Sequence, residues 1–237
     1  MLAETCSLVV PRICPCGTEG TMLCSDCRAL LRGGLHRVED GCDALQILHR
    51  SDPDGADFRP LMPVLALGEH AGALRHLVLA FKNGGRFHLA GHLGEALAPG
   101  LEMLGTPPGT ALVPVPSTFA RRLRRGEDHT GLLARCTGRP AGIPVHSLAH
   151  LSGASQRGQG TRARRARDGM RIRPATRLPR EAILVDDVVT TGATLRALAT
   201  ALAARGCTVR GALVLAASRL PGLAALPTSE GPETTVT

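Results

Sequence analysis

Residues 183–195, ILVDDVVTTGATL, constrain the fold more than any other stretch. Ile183, Leu184 and Val185 form an apolar run of buried-strand character. Leu195, Leu198 and Leu202, with Ala199 and Ala203, then recur at helical spacing on one face. Gly206 stands where a helix C-cap is expected, and residues 208–217, TVRGALVLAA, form a second apolar run. Strand, loop, helix and strand in that order build a parallel α/β sheet. The expected fold is therefore a parallel sheet flanked by helices. Asp186, Asp187 and the Thr/Gly loop fall at the carboxyl end of a strand, where open α/β sheets bind their ligands.

The rest of the chain extends this pattern. PVLAL, from Pro63, predicts a strand, and residues 70–85 predict a helix with Leu74, Leu77, Val78 and Phe81 on one face and Lys82 at its end. Residues 89–101 predict a second helix, TALVPVPS a strand ending at Pro116 and Ser117, and residues 130–137 a further helix. Residues 51–60, SDPDGADFRP, read as a linker. The expected organisation is a cysteine-rich region over 1–50, a main domain over 61–219 and a disordered tail over 221–237. A length of 237 residues with 43% hydrophobic content suits one domain of ordinary size with a small appendage.

The loop after the carboxylates has a chemical use. A helix N-terminus offers unpaired N–H groups and a partial positive charge. Thr190, Thr191 and Thr194 add hydroxyls, and Gly192 and Ala193 leave room for a ligand to approach the backbone. Together they suit a phosphate monoester. The simpler alternative is a threonine that caps the helix, which leaves the carboxylates unexplained. Asp186 and Asp187 are adjacent like charges, and a hydroxyl-rich ligand or a divalent cation compensates such a pair. Ribose 5-phosphate supplies both hydroxyls and phosphate. No Gly-Lys-Ser/Thr occurs, so a Walker A loop is excluded.

LVPVPST offers a second anion pocket through backbone N–H groups and the Ser117 and Thr118 hydroxyls, or else is an edge strand ended by prolines. Arg121, with Arg122, Arg124 and Arg125, forms either a flap over that pocket or a solvated face. Lys82 is either a ligand contact or a complement to its helix dipole. It is the only lysine among 28 basic residues. The net charge of +8 fits nucleic acid or a polyphosphate metabolite. With no Trp, no Tyr and four Phe, stacking platforms for single-stranded DNA are scarce. The arginine-rich stretch 157–173 reads as a flap or a DNA-facing stripe.

Cys14, Cys16, Cys24 and Cys27 place four soft ligands on two short turns, which argues for structural Zn²⁺ over disulfides. The alternative is four buried thiols, and the short Cys14–Cys16 gap leaves Cys6 or Cys42 as substitutes. Cys136 and Cys207 fall in apolar patterns and read as core. No apolar run approaches the roughly 20 residues that span a membrane, and no signal peptide is expected. A cytoplasmic protein with no membrane insertion is expected.

ILVDDVVTTGATL resembles the phosphoribosyl pyrophosphate signature of the type I phosphoribosyltransferases. The order of the cysteine cluster, GALRHLVLAFKNGGRFHLAGHLGEALA, VPVPS, RRLRRGEDHTGLLA, ASQRGQGTRARRARDGMRI and the signature resembles the ComF-like members, over residues 10–219. Many relatives have Phe-Asn-Gln where this chain has Glu127-Asp128-His129, and many have a second cysteine cluster that is reduced here to Cys42. The resemblance implies that Asp186 and Asp187 meet the ribose hydroxyls and that residues 190–194 cradle the 5′-phosphate. It implies Mg²⁺ accompanying phosphoribosyl pyrophosphate, with transfer to a nitrogen acceptor. A second reading is a non-catalytic binding protein for DNA uptake, whose basic surface meets single-stranded DNA or a DNA-processing protein.

Overall fold

The computed structural model describes residues 12–52, 55–83, 85–116, 128–151, 170–174 and 177–218. The tail expected over 221–237 lies outside these residues.

At the centre are two long parallel strands, β8 (Glu181–Val189) and β9 (Thr208–Ala217), joined by helix α6 (Ala193–Ala203). β5 (Thr110–Pro114) pairs parallel with β8, and β4 (Val64–Ala66) pairs parallel with β9. A two-residue antiparallel strand, β1 (His36–Arg37), covers the edge of β4. The order across the sheet is β1-β4-β9-β8-β5. This is the expected α/β architecture with a mostly parallel sheet.

The apolar runs of β8 and β9 follow from coverage of both faces. Ile183, Val185, Leu213 and Leu215 pack with α2 (Gly72–Asn83), α3 (Leu89–Leu97) and α5 (His129–Gly138). Ala182, Leu184, Ala212 and Val214 pack with Leu195, Leu198 and Leu202 of α6 on the other side. Successive residues thus serve opposite layers, as a strand requires. α2 buries Leu74, Leu77, Val78 and Phe81, as its spacing predicts. Ala203, expected on the buried face of α6, is exposed. Cys14, Cys24 and Cys27, with Leu23 and Leu31 near helix α1 (Ser25–Leu31), join the same cluster as α2 and α3.

Three elements differ from the sequence expectation. The strand expected over 183–185 runs to Val189, because β9 supplies ladder partners as far as Ala217. The single helix expected over 89–101 breaks at Ala98, where Pro99 starts α4 (Pro99–Leu104). Proline lacks an N–H and suits a first helical turn, so it ends one helix and opens the next. The expected linker 51–60 contains β3 (Gly55–Pro60), antiparallel to β2 (Gln46–Asp52), with Asp52 opposite Gly55. The Asp, Pro and Gly residues that suggest a linker are equally those of a hairpin turn. A further antiparallel pair, β6 (Ala149–Leu151) with β7 (Met170–Ile172), brackets the arginine-rich stretch, whose residues 157–169 lie outside the described ones.

Gly94 sets how closely α3 approaches α5. A Cβ there would stand 2.5 Å from Cys136 Cβ and 2.8 Å from the Thr137 backbone nitrogen. Backbone cannot yield as a side-chain tip does, so Gly94→Val is expected to destabilise by about 1–3 kcal/mol through overpacking. Denaturant unfolding of parent and variant is the check; equal midpoints would show that α3 and α5 separate freely.

Candidate functional site

The site is built around one buried carboxylate. Asp187 is 5% exposed. Its Oδ2 lies 2.6 Å from Lys82 Nζ and 2.9 Å from His129 Nε2. Its Oδ1 accepts the Val188 N–H at 2.7 Å. Lys82 comes from the last turn of α2 and His129 from the first residue of α5. Burial works against the charge of Asp187, but the His129 hydrogen bond and the Lys82 ammonium outweigh it and hold the carboxyl down to about 2. Asp186 is only half-buried, and its Oδ1 accepts the Asp187 N–H at 2.8 Å. Burial, then the charge of Asp187, push Asp186 up to about 8. Two neighbours of identical type thus titrate in opposite directions.

His70 completes the surroundings. Its backbone N–H donates to Ala217 O at 2.7 Å, which sets it beyond the end of β4 beside the end of β9. Among the described residues its buried Nε2 has no hydrogen-bond partner. Burial lowers its pKa, and Arg75 and Lys82 add to this. Neither His129 nor His70 stands out in the sequence. The one signal for His129 is its place after Asp128, whose side chain caps α5 by accepting the Gly131 N–H at 3.2 Å.

The loop between β8 and α6 carries Thr190, Thr191, Gly192, Ala193 and Thr194. Gly192 is the N-cap of α6 at φ +76°, and no side chain caps the helix. Thr191 Oγ1 lies 3.4 Å from the Ala193 nitrogen, a long contact, so capping does not account for the threonines. Thr190 and Thr191 are exposed and Thr194 is half-buried. Packing gives Gly192 a reason of its own beside the expected ligand approach. A Cβ there would meet Leu45 Cγ at 2.6 Å and Cys42 Cβ at 3.2 Å. The short helical turn Asp43–Leu45 supports the loop from behind, with Ala44 N–H donating to Thr191 O at 2.9 Å.

The structure brings Lys82 to Asp187. Ser117, Thr118 and Arg121, the residues expected on the pyrophosphate side with Lys82, lie outside the described residues. Pro116, where the described residues stop, follows β5, which pairs directly with β8. The cleft of about 600 Å³ bordered by Leu23, Leu31, Glu95 and Met103 includes none of these side chains.

The cysteine cluster is a separate site. The Sγ atoms of Cys14, Cys16, Cys24 and Cys27 all lie within 4.8 Å of one another, with Cys16 and Cys24 at 3.6 Å. Zn–S bonds of about 2.3 Å in a tetrahedron put sulfurs roughly 3.8 Å apart, so the four fit one ion. The short Cys14–Cys16 gap is accommodated by a tight turn, with Gly17 N–H donating to Cys14 O at 2.8 Å. Cys42 does not substitute: it is buried against Gly192, and its Sγ faces Val38 O at 3.5 Å. Cys207 is buried and Cys136 packs against the core.

No protein-family model matches the sequence, and no curated protein does. Among solved structures the chain is similar to an adenine phosphoribosyltransferase, at 14% identity and a TM-score of 0.38, over 76% of this chain and 88% of that one. It is similar to an orotate phosphoribosyltransferase from Aeropyrum pernix at 16% identity and a TM-score of 0.34, over 76% and 77%. A hypoxanthine phosphoribosyltransferase from Trypanosoma cruzi matches at 20% and 0.35, over 62% and 73%. Among the described residues no helix is long and apolar enough to cross a membrane.

Two outcomes follow from the geometry. A carboxyl raised to about 8 favours the folded state fully below its unfolded value near 4, and that contribution fades as pH rises through 8. Asp186→Asn removes this titration, so the parent is expected to lose stability relative to the variant between pH 5 and 9. Parallel melting profiles across that range would contradict it. Gly192→Ala is expected to destabilise by about 1–2 kcal/mol or more, from the left-handed backbone and the Leu45 contact together. Ligand-free denaturation is the check; an unchanged midpoint would mean the supporting turn yields.

Proposed function

We propose that the protein binds the ribose 5-phosphate part of phosphoribosyl pyrophosphate at the carboxyl end of β8, and that it is a phosphoribosyltransferase. One observation carries the reading: a carboxyl pair near the end of strand β8 precedes, by a short loop, an uncapped helix N-terminus surrounded by Thr190, Thr191 and Thr194. The helix end and hydroxyls suit the 5′-phosphate, and the carboxylates suit the ribose hydroxyls. The resemblance of residues 183–195 to the signature of that enzyme class supports the same reading.

In such a reaction a nitrogen nucleophile bonds to C1 of the sugar while the C1–O bond to pyrophosphate breaks and the electron pair leaves with pyrophosphate. The positive charge that develops on the ring is what a nearby carboxylate stabilises, and the rest of the protein's part is positioning. Mg²⁺ enters with the pyrophosphate. The acidic pair itself does not form a two-carboxylate cation cage, because the Lys82 ammonium already stands 2.6 Å from Asp187. Zn²⁺ at the four cysteines has a structural role in this reading.

Calorimetric titration with ribose 5-phosphate, phosphoribosyl pyrophosphate plus Mg²⁺, and inorganic phosphate tests binding. Binding of both sugar phosphates is expected, tighter than phosphate alone; equal affinity for all three would remove the ribose site. Incubation with phosphoribosyl pyrophosphate and a panel of bases then tests transfer. Binding without pyrophosphate release would favour the non-catalytic reading, in DNA uptake or processing. About one zinc per chain is expected by elemental analysis of zinc-supplemented protein. No bound metal with freely titrating thiols would leave four free cysteines in its place.

A further inference from the structure

We propose that the two aspartates are not equivalent: His129 is a positioning residue that, with Lys82, fixes Asp187 in the interior, and Asp186 is the carboxyl group offered to the ligand. The assignment of Asp186 rests on the proposed ribose site; the assignment of His129 does not.

The geometry separates the two residues. A carboxylate has about four acceptor positions. Three on Asp187 are already taken, by Lys82 Nζ, His129 Nε2 and the Val188 N–H. A ribose hydroxyl seeking Asp187 has to displace one of two charge-assisted partners in a nearly dry environment. Asp186 is half-buried, spends one oxygen on the Asp187 N–H, and among the described residues has no ion-pair partner. Its neighbour's charge is neutralised from the other side, so Asp186 is the group left for a hydroxyl donor.

His129 is itself held in place. It is 5% exposed, and its ring meets the edge of Phe81 at a centroid distance of 6.1 Å and 79°. Phe81 and Lys82 are consecutive on α2, so one helical turn supplies both the ring that orients His129 and the ammonium that shares its acceptor. From the other side, Thr130 Oγ1 lies 3.0 Å from Val115 O and 3.0 Å from Asp128 Oδ1, which ties the start of α5 to the end of β5. The charged and titratable groups around the pair are Lys82, Asp186, His70 and Asp128. His129 acts on the ligand only through Asp187, by keeping that carboxylate ionised and turned inward. A donor N–H at this position is what the role requires, so glutamine is expected to serve where alanine does not.

Carboxyl-carbon NMR titration of the full chain, without ligand, tests His129. The parent is expected to show one aspartate titrating well below the ordinary range and one well above it. His129→Ala should raise the low one by about one unit or more, Lys82→Met should do the same, and His129→Gln should restore most of the shift. An aspartate that titrates alike in parent, His129→Ala and His129→Gln would overturn the positioning role. Should His129→Ala fail to fold, His129→Met takes its place as the variant without a donor. Titration with ribose 5-phosphate tests the division of roles. Asp186→Asn is expected to lose about tenfold or more in affinity while melting no lower than the parent at pH 8. Asp187→Asn is expected to lower the melting temperature. Parent-like affinity of Asp186→Asn, with lost affinity but parent-like melting of Asp187→Asn, would reverse the assignment. Absence of ribose 5-phosphate binding by the parent would remove the ribose site and with it the role of Asp186, and leave the NMR result on His129 intact.

Discussion

A single carboxylate fixes the relation between the central strand and two helices. Asp187 on β8 is bonded at once to Lys82 of α2 and His129 of α5, 58 residues away in the chain in the second case. A buried charge is tolerated only when its lone pairs are engaged, and removal of one partner strands the rest. The ammonium, the imidazole and the carboxylate therefore demand one another. That demand falls at the carboxyl end of the sheet, where the backbone of β8 passes into the threonine-rich loop. The helices are set by apolar packing along their length, and by charge at this one end.

The sequence pattern was most informative where physics repeats locally. Ile183–Val185, the α6 leucines and the α2 stripe of Leu74, Leu77, Val78 and Phe81 announce themselves because burial on a covered sheet or helix face imposes a period. The cysteines were equally plain, since four ligands within 14 residues need no distant partner to be recognised. The hairpin of β2 and β3 was hidden, because its turn residues are those of any linker. His129 was hidden for a different reason. Its partner is remote, and no spacing rule relates residue 129 to 187. The loop pattern marks Gly192 as a functional glycine, but its packing reason lies with Leu45, some 150 residues earlier. Nor do adjacent letters reveal that Asp186 and Asp187 titrate on opposite sides of their common reference value; the difference lies in burial and in the His129 and Lys82 partners that only Asp187 holds.

The support of the loop by Asp43–Leu45 has a consequence for how the chain is made. Ala44 donates to Thr191, and Arg196 Nη1 donates back to Ala44 O at 2.9 Å, across 152 residues of sequence. At the usual pace of about 5–20 residues per second, a ribosome takes roughly 8–30 seconds to bridge that interval. The cysteine turns, whose partners are local, are complete long before. The short edge strand His36–Arg37 waits for β4, and β4 in turn waits for β9, the last strand of the sheet. Until β8 and β9 emerge, the local cysteine turns therefore stand beside strands β4 and β5 that have no partner between them. The emergence of β9 is the event that joins β4 to β8 and closes the sheet.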